Sequence, residues 1–138
     1  KPRMLFNDSR KFESSFLNII IPENHSVMLN SLAGARLGIW IAHGEGKFYL
    51  PYEESKYHIP MKYAYDEYPG NPNGSAYSTA ALCSDDGRHL AMMPHLERSI
   101  FPWNWAYYPE DRKNDEITPW IEPFVNALNW IKTRKKNF

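Results

Sequence analysis

The run Pro94-His95-Leu96-Glu97-Arg98 carries the strongest chemical pattern in the sequence. A histidine and a glutamate two apart, just beyond an extended segment, let the imidazole enter a cleft with the carboxylate behind it. The carboxylate accepts the Nδ1–H, sets the tautomer and stabilises the imidazolium, leaving Nε2 to take a proton from a thiol or hydroxyl. That is the base-and-orienter half of a nucleophilic triad. As a bare pattern, His-x-Glu is short and describes a surface pair equally well. His43-Gly44-Glu45-Gly46 is the second candidate, at a strand end where open α/β sheets place sites; the same residues also suit a stabilised Gly-rich turn. A metal at His43 and Glu45 lacks a third ligand. His25, His58 and His89 have no partner pattern. Cys83 stands in Ala80-Ala81-Leu82-Cys83-Ser84, with no glycine elbow and no following helix, so it reads as a small apolar residue and not a nucleophile.

These residues need elements to hold them. Period-two alternation over 11–21 predicts a strand, and Pro22 stops it. Asn24 or Ser26 is positioned to cap a short helix through Leu32, with Gly34 at its end. Leu37 to Ala42 is an apolar run too brief for a helix and predicts a buried strand that ends on His43. Extended character returns at Lys47 to Leu50 and again at Pro60 to Asp66. Tyr68 to Ser75 is dense in turn formers and predicts a shaped loop with a tight Asn73-Gly74 turn; within it Asn71 to Ser75 is mostly turn chemistry, with a minor part in shaping the mouth of a cleft. Tyr77 to Cys83 and Arg88 to Met93, joined by Asp85-Asp86-Gly87, predict a hairpin that delivers His95. Ser99 to Glu116 has five aromatics but no period, and predicts an ordered loop whose aromatics pack on the domain or on a neighbour. Thr118 as N-cap, Pro119 at the first helical position and an apolar stripe from Trp120 to Ile131 predict a covering helix to Arg134, with basic charge over 132–136 at its end.

Several long strings taken together resemble one family. They are Asp86 to Ser99, Trp40 to Phe48, Asn71 to Ser75, Phe101 to Trp105 and Trp120 to Asn126. In this order they are similar to the C-terminal class I glutaminase domain of the large, single-chain phosphoribosylformylglycinamidine synthases. The resemblance implies an α/β fold: part of a flavodoxin-like, three-layer class I glutamine amidotransferase domain with a mixed sheet, occupying residues 1–138. It implies a ligase of purine biosynthesis whose glutaminase feeds ammonia to an ATP-dependent synthetase site. Glutamine is the implied ligand and the synthetase domains the implied partner; ATP and Mg²⁺ belong to those domains, with no cofactor in this chain. The family's Pro-His-Pro-Glu-Arg motif maps His95 to the general base and Glu97 to its orienter, and the resemblance places His43 near the cleft, in contact with substrate or in support of the triad. Leu96 occupies the family's proline, so a fixed φ is lost between the two site residues. The family's Gly-x-Cys-Asn-Gly-x-Gln elbow, upstream of these motifs, is absent from the chain. The expectation is therefore a fragment without glutaminase activity. The alternative is a non-catalytic amidotransferase-like binding or interaction module.

Composition agrees with a local site. With 16 Lys+Arg against 16 Asp+Glu over 138 residues, no broad field favours nucleic acid or an anionic membrane. No apolar run approaches the roughly 20 residues of a membrane span. The aromatic stretch from Trp103 lacks the Lys and Arg that accompany single-strand stacking platforms until Arg112. One cysteine excludes an internal disulfide and suits a reducing cytoplasm.

Overall fold

The structure, a computed structural model, describes residues 1–135. Its strands are β1 (Arg3–Leu5), β2 (Glu13–Ile20), β3 (Arg36–His43), β4 (Lys47–Tyr49), β5 (His58–Tyr63), β6 (Thr79–Cys83) and β7 (Leu90–Met92), followed by the helix α1 (Glu122–Lys135). The result is a mixed α/β domain built on a curled antiparallel sheet and one long helix, consistent with part of the flavodoxin-like amidotransferase fold.

The main sheet runs β3-β2-β5-β6-β7, and β1 pairs with β4 in a small second sheet. Every neighbouring pair is antiparallel, where a mixed sheet is expected from the resemblance. The physical reason lies in the connections: the β6–β7 link is a tight hairpin, and parallel neighbours require a long crossover. β3 and β5 do run in the same direction, but β2 lies between them.

β2 and β3 pair over their full length, from Glu13 opposite His43 to Ile20 opposite Arg36. Alternation puts Ile19 of β2 and Ile39 and Ile41 of β3 in the core, with Met61 and Tyr63 from β5, Ala81 from β6, and Trp120. The helix expected over 24–32 is replaced by turns and a single 3₁₀ turn, Asn30–Leu32. Asn24 uses its side chain locally instead: Oδ1 accepts from the Ser26 amide and Nδ2 donates to Pro22 O. Such Asx contacts compete with helix formation.

The loop over 99–116 is ordered, as its composition predicts. Phe16 sits between Trp40 at 5.2 Å and Trp105 at 5.5 Å, and Trp105 meets Tyr108 edge-on at 5.1 Å. Thr118 caps the following turn: its Oγ1 accepts from the Trp120 amide and donates to Ser99 O. That turn, Pro119–Ile121, is 3₁₀ before α1 begins. Trp120 is fully buried and donates Nε1–H to Gly38 O at 2.8 Å, which ties the helix start to β3. The rest of the predicted core stripe departs from expectation, since Phe124, Val125, Leu128 and Ile131 are exposed. The basic end expected over 132–136 extends past the described residues.

Candidate active site

His95 follows β7 by three residues and is held by β3: its amide donates to Trp40 O at 2.8 Å, an isolated bridge beyond the hairpin. The chain then turns through Leu96–Arg98 in a single 3₁₀ turn. Ser99 closes that turn, donating its amide to Leu96 O and its hydroxyl to His95 O. Leu96 itself is buried in the core. These contacts replace the constraint that a proline would supply, and His95 Nδ1 lies 2.7 Å from Glu97 Oε1.

The imidazole is largely covered, whereas the Glu97 carboxylate is mostly exposed. Partial burial favours a protonated Glu97. The hydrogen bond from His95, the local backbone and the charges of His95 and Arg98 outweigh it, holding the carboxyl below its ordinary value. Arg98 approaches the same carboxylate at 3.8 Å. An imidazole with Nδ1 on an ionised carboxylate has Nε2 free to accept a proton, and the carboxylate stabilises the cation that forms.

His43 closes β3 opposite Glu13 of β2. Its Nδ1 lies 2.9 Å from Nδ2 of Asn73, which belongs to the turn-rich loop over 68–75. The approach depends on Gly46, where a Cβ would stand 2.4 Å from His43 Nδ1 and 2.5 Å from Asn73 Nδ2. Burial pushes His43 below its ordinary value; contact with its own backbone opposes this, the nearby His95 adds to it, and Glu13 opposes it weakly. Glu45 faces solvent, so His43 and Glu45 do not converge. Among the described residues, no cluster of three metal-ligating side chains occurs.

Cys83 lies at the far end of the same hairpin. Cys83 pairs with Leu90 and Ala81 with Met92, so following β7 towards His95 leads away from the thiol. Burial, followed by the charge of Asp85, raises the Cys83 pKa, the opposite of what an activated nucleophile needs.

A match to the CobB/CobQ-like glutamine amidotransferase domain covers residues 1–131. The chain belongs to that family. As an amidotransferase domain it is 40% identical, over 96% of its length, to the probable phosphoribosylformylglycinamidine synthase, chloroplastic/mitochondrial, of Arabidopsis thaliana. It is 39% identical, over 90% of its length, to the phosphoribosylformylglycinamidine synthase of Homo sapiens. The chain spans 10% of the length of each of these relatives. The solved structure of PurLQS from Thermotoga maritima superposes with a TM-score of 0.70 at 26% identity, covering 95% of this chain and 53% of that one.

Within the amidotransferase domain, the structure brings His95 to Glu97, and β3 carries both histidines: His95 is bridged to Trp40, and His43 ends the same strand three residues further on. Sequence reasoning missed the polar residues underneath: Asn73 and Asn7 are buried, and Tyr63 donates to Asn73 Oδ1 at 2.7 Å. The signal available was an unusually asparagine-rich turn, which turn chemistry alone accounts for. It missed as well the pairing of His25 with His58, whose rings meet edge-on at 4.4 Å, with His58 Nε2 3.2 Å from Asp85.

Proposed function

We propose that this domain supplies the base half of a glutaminase, with His95 as general base and Glu97 as its orienter. The observation that carries this is the 2.7 Å contact of His95 Nδ1 with Glu97, which leaves Nε2 for a thiol. The thiol is not Cys83. It belongs to a Gly-x-Cys-Asn-Gly-x-Gln elbow, a string that residues 1–138 do not contain. In the reaction, His95 takes the thiol proton as sulfur attacks the glutamine amide carbon, then returns it to the leaving nitrogen, which departs as ammonia. Water completes the cycle by hydrolysing the thioester to glutamate. His43 contributes to the floor of the glutamine cleft.

By extension from the relatives, the whole protein is a phosphoribosylformylglycinamidine synthase. It uses the ammonia and ATP to convert formylglycinamide ribonucleotide to formylglycinamidine ribonucleotide in purine biosynthesis. ATP and Mg²⁺ are held by synthetase domains. An exposed aromatic surface supports a contact with them: Trp103 and Tyr107 are each 73% exposed, and Trp103 stacks on Phe101 at 4.6 Å. The lone thiol suits a cytoplasmic setting, which cell fractionation tests.

The deciding experiment compares glutamine hydrolysis by the full gene product, by its His95→Gln variant and by residues 1–138 alone. The full product hydrolyses glutamine, His95→Gln loses about 10²–10⁴-fold in kcat, and the 138-residue chain is inactive. Activity in the short chain that disappears in Cys83→Ser overturns both the assignment of the thiol and the need for an elbow. Full activity in His95→Gln removes His95 from the role of base, and no glutamine hydrolysis by the full gene product favours the non-catalytic module.

A further inference from the structure

The proton on His43 can be placed from groups whose polarity is not in question. Asn7 Nδ2 lies 2.8 Å from two backbone carbonyls, those of Lys11 and His43, so this end of the amide is the donor. Its other end, Oδ1, accepts from the Gly46 amide at 3.0 Å. Asn7 is thereby oriented by backbone groups alone, which have neither flips nor tautomers. Asn73 Nδ2 lies 2.7 Å from that same Oδ1 and must donate to it, while Tyr63 donates to Asn73 Oδ1. Burial holds the Tyr63 phenol far above its ordinary value, so it keeps its proton.

The second hydrogen of Asn73 Nδ2 points to His43 Nδ1. Nδ1 therefore accepts, and the ring proton resides on Nε2. A second proton would set an Nδ1–H against an NH₂ group whose orientation the backbone enforces. His43 Nε2 is buried and has no acceptor among the described residues; Glu13 Oε1, on the residue opposite in the β2–β3 ladder, is likewise buried without a donor.

We propose that Asn73 is a positioning residue of this site, holding His43 as the neutral Nε2–H tautomer so that no second positive charge forms beside His95 when His95 takes a proton. This rests on the glutaminase role of His95 and Glu97 given above. A cation at His43, on the strand that also holds the His95 backbone, would oppose the imidazolium that forms at His95 during thiol activation. Asn73 touches no reacting atom; it acts through His43, with Asn7 as its anchor and Gly46 as the gap that permits the approach.

The test is a double-variant cycle in the full gene product. Asn73→Asp replaces the donor facing Nδ1 by an acceptor and favours a doubly protonated His43. It lowers kcat for glutamine hydrolysis about tenfold or more while KM for glutamine changes little. In a His43→Gln background the same change costs no more than about twofold, because the group through which it acts is gone. Equal losses in both backgrounds overturn the proposal. Should Asn73→Asp not fold, Asn73→Ser, which can accept as well as donate, carries the same cycle with the same criterion. Solid-state ¹⁵N spectra of the histidine-labelled wild type read the proton directly, whether or not glutamine is turned over. Neutral His43 protonated at Nε2 supports the assignment, and an Nδ1–H or imidazolium signature sinks it. Absence of wild-type glutamine hydrolysis alongside the expected ¹⁵N signature removes the glutaminase reading and leaves the tautomer assignment standing.

Discussion

At the scale of single residues, the informative pair is His95 and Glu97, because its geometry ties charge to stability. The Glu97 carboxyl titrates below its unfolded value, so its stabilising contribution is present above the ordinary carboxylate range and disappears as pH falls through the folded value. The carboxylate is mostly exposed, which keeps the contribution under about 1 kcal/mol. Urea unfolding of wild type and Glu97→Gln is expected to show a difference above the ordinary carboxylate range that disappears in strong acid. A difference that persists or grows in strong acid contradicts the sign. This pair was legible from the sequence because its partners are two residues apart. Asn73 was not, since its partners Asn7, His43 and Tyr63 come from three other segments that only folding assembles.

Among the elements, the junction of β2, β3 and the aromatic loop shows how strands position the site. Trp40 of β3 holds the His95 backbone, and Phe16 of β2 is wedged between Trp40 and Trp105. Gly38 makes this possible, for a Cβ there would fall 2.4 Å from the Phe16 ring. Gly38→Ala is expected to destabilise by about 1–3 kcal/mol in denaturant unfolding, since the ring that must shift is flanked by Trp40 and Trp105. In a Phe16→Ala background most of that loss vanishes; an undiminished loss there would mean that the strain lies elsewhere. The strands β2 to β7 and the hairpin are predicted closely because apolar runs, period-two alternation and Asp-Gly turns are local signals, whereas the short, exposed β1 carries no such pattern and is missed. The helix predicted over 24–32 fails because Asn24 spends its side chain on a local turn, accepting from the Ser26 amide and donating to Pro22 O, while Ser26 Oγ caps nothing among the described residues.

Across the whole molecule, α1 is divided between one anchoring residue and one open face. Trp120 is 0% exposed, whereas Leu128 and Ile131, on the stripe that helical spacing predicts to be core, are 50% and 46% exposed. Trp120→Ala is therefore expected to cost about 3–5 kcal/mol and Leu128→Lys no more than about 0.5 kcal/mol, both read from chemical denaturation of the 138-residue chain. The reverse order would show that the stripe is buried in solution. Periodicity reports that a face is apolar; it does not report whether residues 1–138 contain the surface that covers it.

The sequence by itself determined the approach of His95 to Glu97, the strands from β2 to β7, the hairpin that carries His95 and the capped start of the last helix. Each is encoded by neighbours within a few positions: a two-residue spacing, an alternation, an Asp-Gly turn, a Thr-Pro cap. Tertiary structure alone decided two things: that every described strand pairing is antiparallel, and that buried Asn73, held by buried Asn7, meets the ring of His43. Both depend on which distant segments meet, and buried polar groups must take whatever partners that meeting supplies.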